Sequence, residues 1–147
     1  MTSLYIWLRF LHLTGLGAFL FGHGISAGCS SALRGRPSPA VARAYLGLSQ
    51  WSYRITYPGL LLLLVTGVGM AFAGHRWGSG WIWAAIVVLV AVSVAMGALS
   101  APYHRARDAT DDVVLERELA RSRPGLTSWV GAVGLLLLIL LMVVKPF

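Results

Sequence analysis

The stretch WIWAAIVVLVAVSVAMGALSA, residues 81–101, decides the fold because it is free of charged side chains and long enough to cross a lipid bilayer. A hydrocarbon core about 30 Å thick requires roughly 20 apolar residues in a helix. Three further stretches qualify, and the four predicted spans are Leu4–Ala27, Ile55–Ala73, Trp81–Ala101 and Leu126–Val144. The sequence therefore predicts an all-α integral membrane protein, a four-transmembrane-helix bundle of up-down topology, with residues 1–147 forming a single transmembrane domain.

Composition supports a membrane protein. The chain is 57% hydrophobic and only 12% charged, whereas about 25% of the residues in an average soluble domain are charged. Tryptophan prefers the headgroup level of a bilayer, where its ring meets apolar groups and its N–H meets water. The six tryptophans fall near the predicted span ends, and they are Trp7, Trp51, Trp77, Trp81, Trp83 and Trp129. Because the connections are short, any chemistry is expected inside the bundle or at its rims.

The arginines are concentrated in two connections of the chain. One connection carries Arg34, Arg36, Arg43 and Arg54, and the other carries Arg105, Arg107, Arg117, Arg121 and Arg123. The positive-inside rule accounts for this distribution, so the net charge of +7 does not indicate a nucleic-acid partner. We predict a multi-pass protein of the cell (inner) membrane, with loops 28–54 and 102–125 cytoplasmic and both termini extracytoplasmic.

Two features indicate packing or docking surfaces. All five carboxylates lie within residues 108–121, alternating with arginines, which predicts a short amphipathic helix on the cytoplasmic surface. Gly24 and Gly28 form a GxxxG pattern that permits close helix packing in lipid. Packing within the chain is the favoured use of such small residues, with a homo-oligomer or a membrane-complex partner as the alternative.

Four histidines are the candidate cofactor-binding residues, because an ionisable group inside a membrane is costly and generally marks a function. His12 and His23, on one face of the first helix, are separated by about 16 Å along its axis. In the predicted topology His75 lies on the side of His12, and His104 lies on the side of His23. Imidazole ligands within a helical bundle are typical of haem b proteins. Haem b is therefore the expected cofactor, and His12, fully within its span, is the first candidate for the haem iron.

Two other functions remain open. A copper site would combine histidine with methionine, but Met70, Met96 and Met142 are not spaced to cluster with a histidine. A non-enzymatic accessory or structural subunit would need only the small-residue faces and the amphipathic helix. The sequence has no phosphate-binding glycine loop, serine-centred elbow, CxxC pair or carboxylate pair within a span that would indicate a familiar enzyme.

Short motifs occur in all four predicted helices. They are WLRFLH at 7–12, YRITYPG at 53–59 followed by TG at 66–67, GW at 80–81 and MVVKPF at 142–147. Together they resemble the HemJ-type protoporphyrinogen oxidases and their CopD-like relatives. The resemblance implies a four-helix membrane protein that binds haem b through His12 and has a redox or porphyrin-related role. The resemblance to the CopD-like relatives keeps copper handling as a third hypothesis.

The chain departs from that family at two places. The family has a functional lysine after the third-helix tryptophan, whereas Trp81 is followed here by IWAA. The family's Asn-Glu pair before the fourth helix is also absent, with LTSW at residues 126–129 near that place. These departures weigh against porphyrinogen oxidation, and they leave haem binding as the expectation.

Overall fold

The computed structural model describes residues 3–146. Within that range the chain forms five α-helices and no β-strand: α1 (Ser3–Ala32), α2 (Pro39–Ala73), α3 (Gly80–Asp108), α4 (Asp112–Arg121) and α5 (Pro124–Val144). A short 3-10 helix, Leu33–Gly35, follows α1. Four helices, α1, α2, α3 and α5, are long and apolar enough to cross a membrane. The prediction of an all-α chain with four such helices is therefore confirmed.

The helices extend beyond the predicted spans at the ends that carry arginine. α2 begins at Pro39 rather than near Ile55, and α3 continues to Asp108 rather than ending near Ala101. Hydropathy marks where the apolar segment stops, but alanine, leucine and arginine outside that segment are still good helix formers. The predicted amphipathic helix 108–121 is shorter, because Asp111 caps α4 by accepting a hydrogen bond of 2.9 Å from the Val113 N–H.

The chain divides into two compact units. The first unit comprises residues 3–29 and 47–78, and the second comprises residues 30–46 and 79–146. α1 and α2 contribute to both units, whereas α3, α4 and α5 belong to the second.

In the first unit, α1 and α2 run antiparallel and their backbones meet at glycines. A Cβ atom on Gly15 would lie 2.8 Å from the Leu63 nitrogen, and one on Gly59 would lie 2.6 Å from the Phe19 nitrogen. Space is equally lacking at Gly22, where a Cβ would lie 3.0 Å from backbone atoms of α2. Residues later in α1 therefore contact residues earlier in α2, which is the pattern of an antiparallel pair. Close contact through small residues is the usual way in which helices associate in lipid, where no hydrophobic effect drives them together.

In the second unit, α3 and α5 also form an antiparallel pair. A Cβ on Gly134 would lie 2.5 Å from Cγ2 of Val92, so the two helices approach closely there. Near the C-terminal end of α5, the Lys145 ammonium lies 5.6 Å from the centre of the Trp81 ring at the start of α3. This cation–π contact joins the ends of the same pair.

α4 is held by a small core at the other end of the second unit. The buried side chains of this core are Leu33, Ala42, Leu46, Ala106 and Leu115. Arg43 fixes the connection before α4: its guanidinium donates to the Ala109 and Thr110 carbonyls at 2.6 and 3.2 Å and to the Asp112 carboxylate at 2.7 Å. The predicted amphipathic helix is therefore packed against the chain along the face that contains Leu115.

Large apolar side chains are exposed along the four long helices. Examples are Trp7, Val65, Val94 and Val143, each with more than half of its surface accessible. A soluble monomer rarely exposes so extensive an apolar surface. The exposure instead suits contact with the hydrocarbon of a bilayer.

Replacing Gly15 with alanine should destabilise the α1–α2 pair, because the new methyl group would overlap the α2 backbone. We expect a loss of about 1–3 kcal/mol, typical of overpacking. Gly17→Ala is the matched control, since nothing lies within 4 Å of its Cβ position and alanine favours a helix by up to about 1 kcal/mol. Thermal unfolding in detergent micelles, followed by circular dichroism, measures both. Equal midpoints for the two variants would contradict the close packing at Gly15.

Candidate functional site

The His12 side chain is buried and is hydrogen bonded to α2. Its Nδ1 lies 2.9 Å from the Leu63 carbonyl oxygen and 3.2 Å from the Thr66 hydroxyl. A carbonyl oxygen can only accept, so Nδ1 carries a hydrogen and donates it. The Thr66 hydroxyl donates its own hydrogen to the Leu62 carbonyl at 2.6 Å, which leaves its oxygen to accept from His12. The tautomer of the ring follows from these partners.

The other ring nitrogen of His12, Nε2, makes no hydrogen bond within residues 3–146. In a neutral imidazole protonated at Nδ1, Nε2 carries a lone pair and can bind a metal ion. Histidines that ligate metals generally donate their second ring N–H to a carbonyl or carboxylate, which fixes the ring and increases its basicity. The hydrogen bond from Nδ1 of His12 to the Leu63 carbonyl is of this kind.

Gly67 makes the Leu63 carbonyl accessible to His12. In an α-helix this carbonyl accepts from the N–H four residues later, which belongs to Gly67. A Cβ on Gly67 would lie 3.2 Å from Cε1 and 3.5 Å from Nδ1 of His12. Because glycine has no side chain, the imidazole ring can lie against the backbone of α2 at this point.

The sequence predicts His12 as a candidate ligand, but it does not predict Leu63 and Thr66 as the partners of His12. A threonine within an apolar span was the available signal, since its hydroxyl needs a partner where no water is present. The Thr66-Gly67 pair is distinguished in the sequence only by the family resemblance. Because every residue has a backbone carbonyl, the sequence cannot indicate that the carbonyl of Leu63 accepts this hydrogen bond.

His75 occupies a turn rather than a helix face. It is exposed and follows the end of α2 with a left-handed φ of 51°. The Arg76 N–H donates to the Ala71 carbonyl at 2.9 Å, and the His75 N–H donates to the Phe72 carbonyl at 3.1 Å. These two bonds form a Schellman ending, in which glycine usually takes the left-handed position.

His23 and His104 are both half-buried but lie in different units of the chain. His23 is in the first unit with His12, and its ring stacks on Phe19 with centroids 5.6 Å apart and planes 10° apart. His104 lies in the second unit, near the C-terminal end of α3. The placement of His75 on the side of His12, and of His104 on the side of His23, stays a prediction.

No group of three or more His, Cys, Asp or Glu side chains able to hold a metal ion occurs between residues 3 and 146. A metal ion held by protein side chains alone generally needs such a group. A haem differs, because the porphyrin supplies four ligands and the protein adds only one or two. The arrangement at His12 is therefore compatible with an iron that brings its own macrocycle, and copper handling has no support from such a cluster.

Glu118, on α4, is the centre of a second cluster of ionisable side chains. Its buried carboxylate accepts hydrogen bonds from Nε of Arg105 at 2.8 Å and from Nη1 of Arg121 at 2.9 Å, and Nε of Arg117 lies 4.0 Å away. The hydrogen bond from Arg105 is the main cause that holds the pKa of Glu118 below its usual range. The positive charges of Arg105, Arg121 and Arg117 act in the same direction, against the effect of burial.

Comparison of the chain with protein-family models, with curated proteins and with solved structures found no match. Its function must therefore be inferred from its own residues. The His12 arrangement and the short motifs around it provide the basis.

Glu118→Gln should lower the thermal stability of the protein at pH 7, because the charged partner of three arginines is lost. A carboxyl group with a depressed pKa in the folded state stabilises the protein above its unfolded pKa, about 4.3 for glutamate, and this contribution is lost as the pH falls through the lower folded value. The difference in midpoint between wild type and variant should therefore be full at pH 6–7 and shrink progressively below about pH 4.

Glu116→Gln is the matched control, since Glu116 lies on the same helix, is exposed and makes no ion pair within the described residues. It should leave the midpoint nearly unchanged at every pH. Thermal unfolding in a detergent stable to acid measures all three proteins. A Glu118→Gln effect that persists undiminished at pH 3 would contradict the ionic role of this carboxylate.

Proposed function

We propose that this chain is an integral membrane protein that binds haem b, with Nε2 of His12 as a ligand of the haem iron and with a redox or porphyrin-related role. The observation that carries the proposal is the hydrogen bond of 2.9 Å from Nδ1 of His12 to the Leu63 carbonyl. It holds a buried imidazole in the tautomer that leaves Nε2 available to a metal.

Three properties of the surrounding residues support a haem ligand at this position. The hydrogen bond to Leu63 orients the ring and makes it a better electron donor. Gly67 leaves room for the ring beside α2. The apolar span around His12 would keep water from the iron and so influence its reduction potential. When bound, haem supplies one-electron redox chemistry at its iron.

The motifs that resemble HemJ-type proteins agree with the contacts of His12. The WLRFLH motif ends at His12, and the TG motif contains Thr66 and Gly67, both of which touch its ring. Two distant motifs therefore meet at one imidazole. Because the lysine and the Asn-Glu pair of that family are absent, the proposal is haem binding without protoporphyrinogen oxidation.

Membrane insertion with up-down topology is the second part of the proposal. Four apolar helices with exposed apolar side chains support it. α2 and α3 exceed the roughly 20 residues needed to cross the hydrocarbon, and their extra turns carry arginines. These turns suit the cytoplasmic headgroup level, which would place both termini outside the cytoplasm.

His12→Ala should abolish the haem spectrum of the purified protein. The wild type, expressed with ample haem and extracted in detergent, should show a Soret band and sharper visible bands after reduction with dithionite. Leu13→Ala is the matched control, because this exposed residue is adjacent to His12 on α1 and cannot ligate iron, and it should keep the wild-type spectrum. Free imidazole should restore the band in His12→Ala, because it can replace the missing ligand.

Two results would contradict the haem proposal. A featureless spectrum of a wild-type protein that elutes normally in gel filtration and has normal helical content would favour the hypothesis of a non-enzymatic accessory subunit. An unchanged spectrum in His12→Ala would show that another residue ligates the iron.

The topology can be tested with two single-cysteine variants in a Cys29→Ser background. Ser38 and Gly78 are both exposed and lie between consecutive long helices. A membrane-impermeant maleimide should label Gly78→Cys in intact cells and should label Ser38→Cys only after the cells are permeabilised. The reverse pattern would overturn the orientation inferred from the arginines.

A further inference from the structure

The arginines around Glu118 form a positively charged surface with a buried negative centre. The side chains of Arg105, Arg117 and Arg121 are 56%, 62% and 59% exposed, whereas that of Glu118 is 5% exposed. Three guanidinium groups share one carboxylate, so the cluster has a formal net charge of +2. We call these four residues the Glu118 cluster.

The guanidinium groups of the Glu118 cluster keep most of their hydrogen-bonding capacity. Each guanidinium has five N–H donors, yet Arg105 donates one bond through Nε and Arg121 one through Nη1, both to Glu118. Arg117 is near enough for an ion pair but donates no hydrogen bond to Glu118. The remaining donors belong to exposed side chains that the buried carboxylate holds together.

Two other arginines of the second unit, Arg43 and Arg107, are each paired with one carboxylate. Arg43 donates to two backbone carbonyls and to Asp112, so its donors are used to hold the chain. Arg107 pairs with Asp108, the next residue, at 3.2 Å. Among these ion pairs, the Glu118 cluster is the one in which several arginines share a single carboxylate.

We infer that the Glu118 cluster binds the phosphate group of an anionic membrane phospholipid. A guanidinium presents paired donors that match a phosphate, and several guanidiniums can share its oxygens. Arg105 follows closely after the apolar stretch of α3, so in an inserted protein it stands at headgroup level. Glu118 orients the arginines before the lipid arrives, which reduces the side-chain entropy lost on binding.

The inference rests on the membrane insertion that forms part of the proposed function, and it does not depend on haem. Extraction of cell membranes with alkaline carbonate tests insertion separately. If the protein stays in the membrane fraction and no lipid preference is found, the lipid inference alone fails. If it is extracted, insertion itself fails.

The test is a lipid titration of the full-length protein in detergent, measured by native mass spectrometry. Dioleoyl phosphatidylglycerol should bind at one site at least tenfold more tightly than dioleoyl phosphatidylcholine, because only the former is anionic. Arg117→Gln should weaken the binding of phosphatidylglycerol about three- to tenfold, and the double variant Arg105→Gln/Arg117→Gln should remove the preference. Arg107→Gln is the charge-matched control and should retain wild-type affinity within about twofold.

Several outcomes would overturn the inference. Equal affinity for the two lipids would show that no anionic site exists. An equal loss in Arg107→Gln and Arg117→Gln would show diffuse attraction by overall charge instead of a site. Displacement of phosphatidylglycerol by millimolar inorganic phosphate would identify free phosphate as the ligand. Circular dichroism of each variant verifies folding, and Arg117, which donates no hydrogen bond to Glu118, provides the variant least coupled to the fold.

Discussion

The close approach of α1 to α2 is the contact on which the His12 arrangement depends. Within a bilayer, lipid tails are as apolar as leucine, so two helices gain little by exchanging lipid contact for each other unless their backbones fit closely. Gly15 and Gly59 permit that fit, since a side chain on either would collide with the facing backbone. Only at this separation can the imidazole of one helix reach a main-chain carbonyl of the other. The glycines that allow α1 and α2 to pack closely therefore also allow the hydrogen bond of His12.

Much of the architecture follows from the apolar segments, whereas the register between them does not. Hydropathy predicted four helices because each segment must satisfy its backbone hydrogen bonds internally. Hydropathy did not predict that α2 begins at Pro39, because the residues before the apolar segment favour a helix although they are not apolar enough to span a membrane. The pairing of His12 with Leu63 depends on how two distant helices align, and local patterns contain no such information. His12 was identified only because a titratable group in a span is unusual.

The arginines also show the difference between what the sequence predicts and what depends on contacts between distant residues. Their distribution along the chain predicted an orientation, but not which of them hold the structure together. Arg43 is bound to carbonyls of the connection before α4 and acts as part of the fold. The arginines of the Glu118 cluster remain exposed around a buried carboxylate. Arginines of the two arginine-rich connections thus have different roles, because burial and partners decide what each guanidinium does.

The acceptor for His12 is a main-chain oxygen, and this has a consequence for how the site would drift in evolution. Every amino acid supplies a carbonyl, so position 63 can change its side chain without removing the hydrogen bond from Nδ1. Position 67 is constrained differently, because a side chain there would press on the imidazole ring. Selection on His12 would therefore act directly on Gly67, one turn after Leu63 in α2, and would act on the Leu63 side chain only through the packing of α2 against α1.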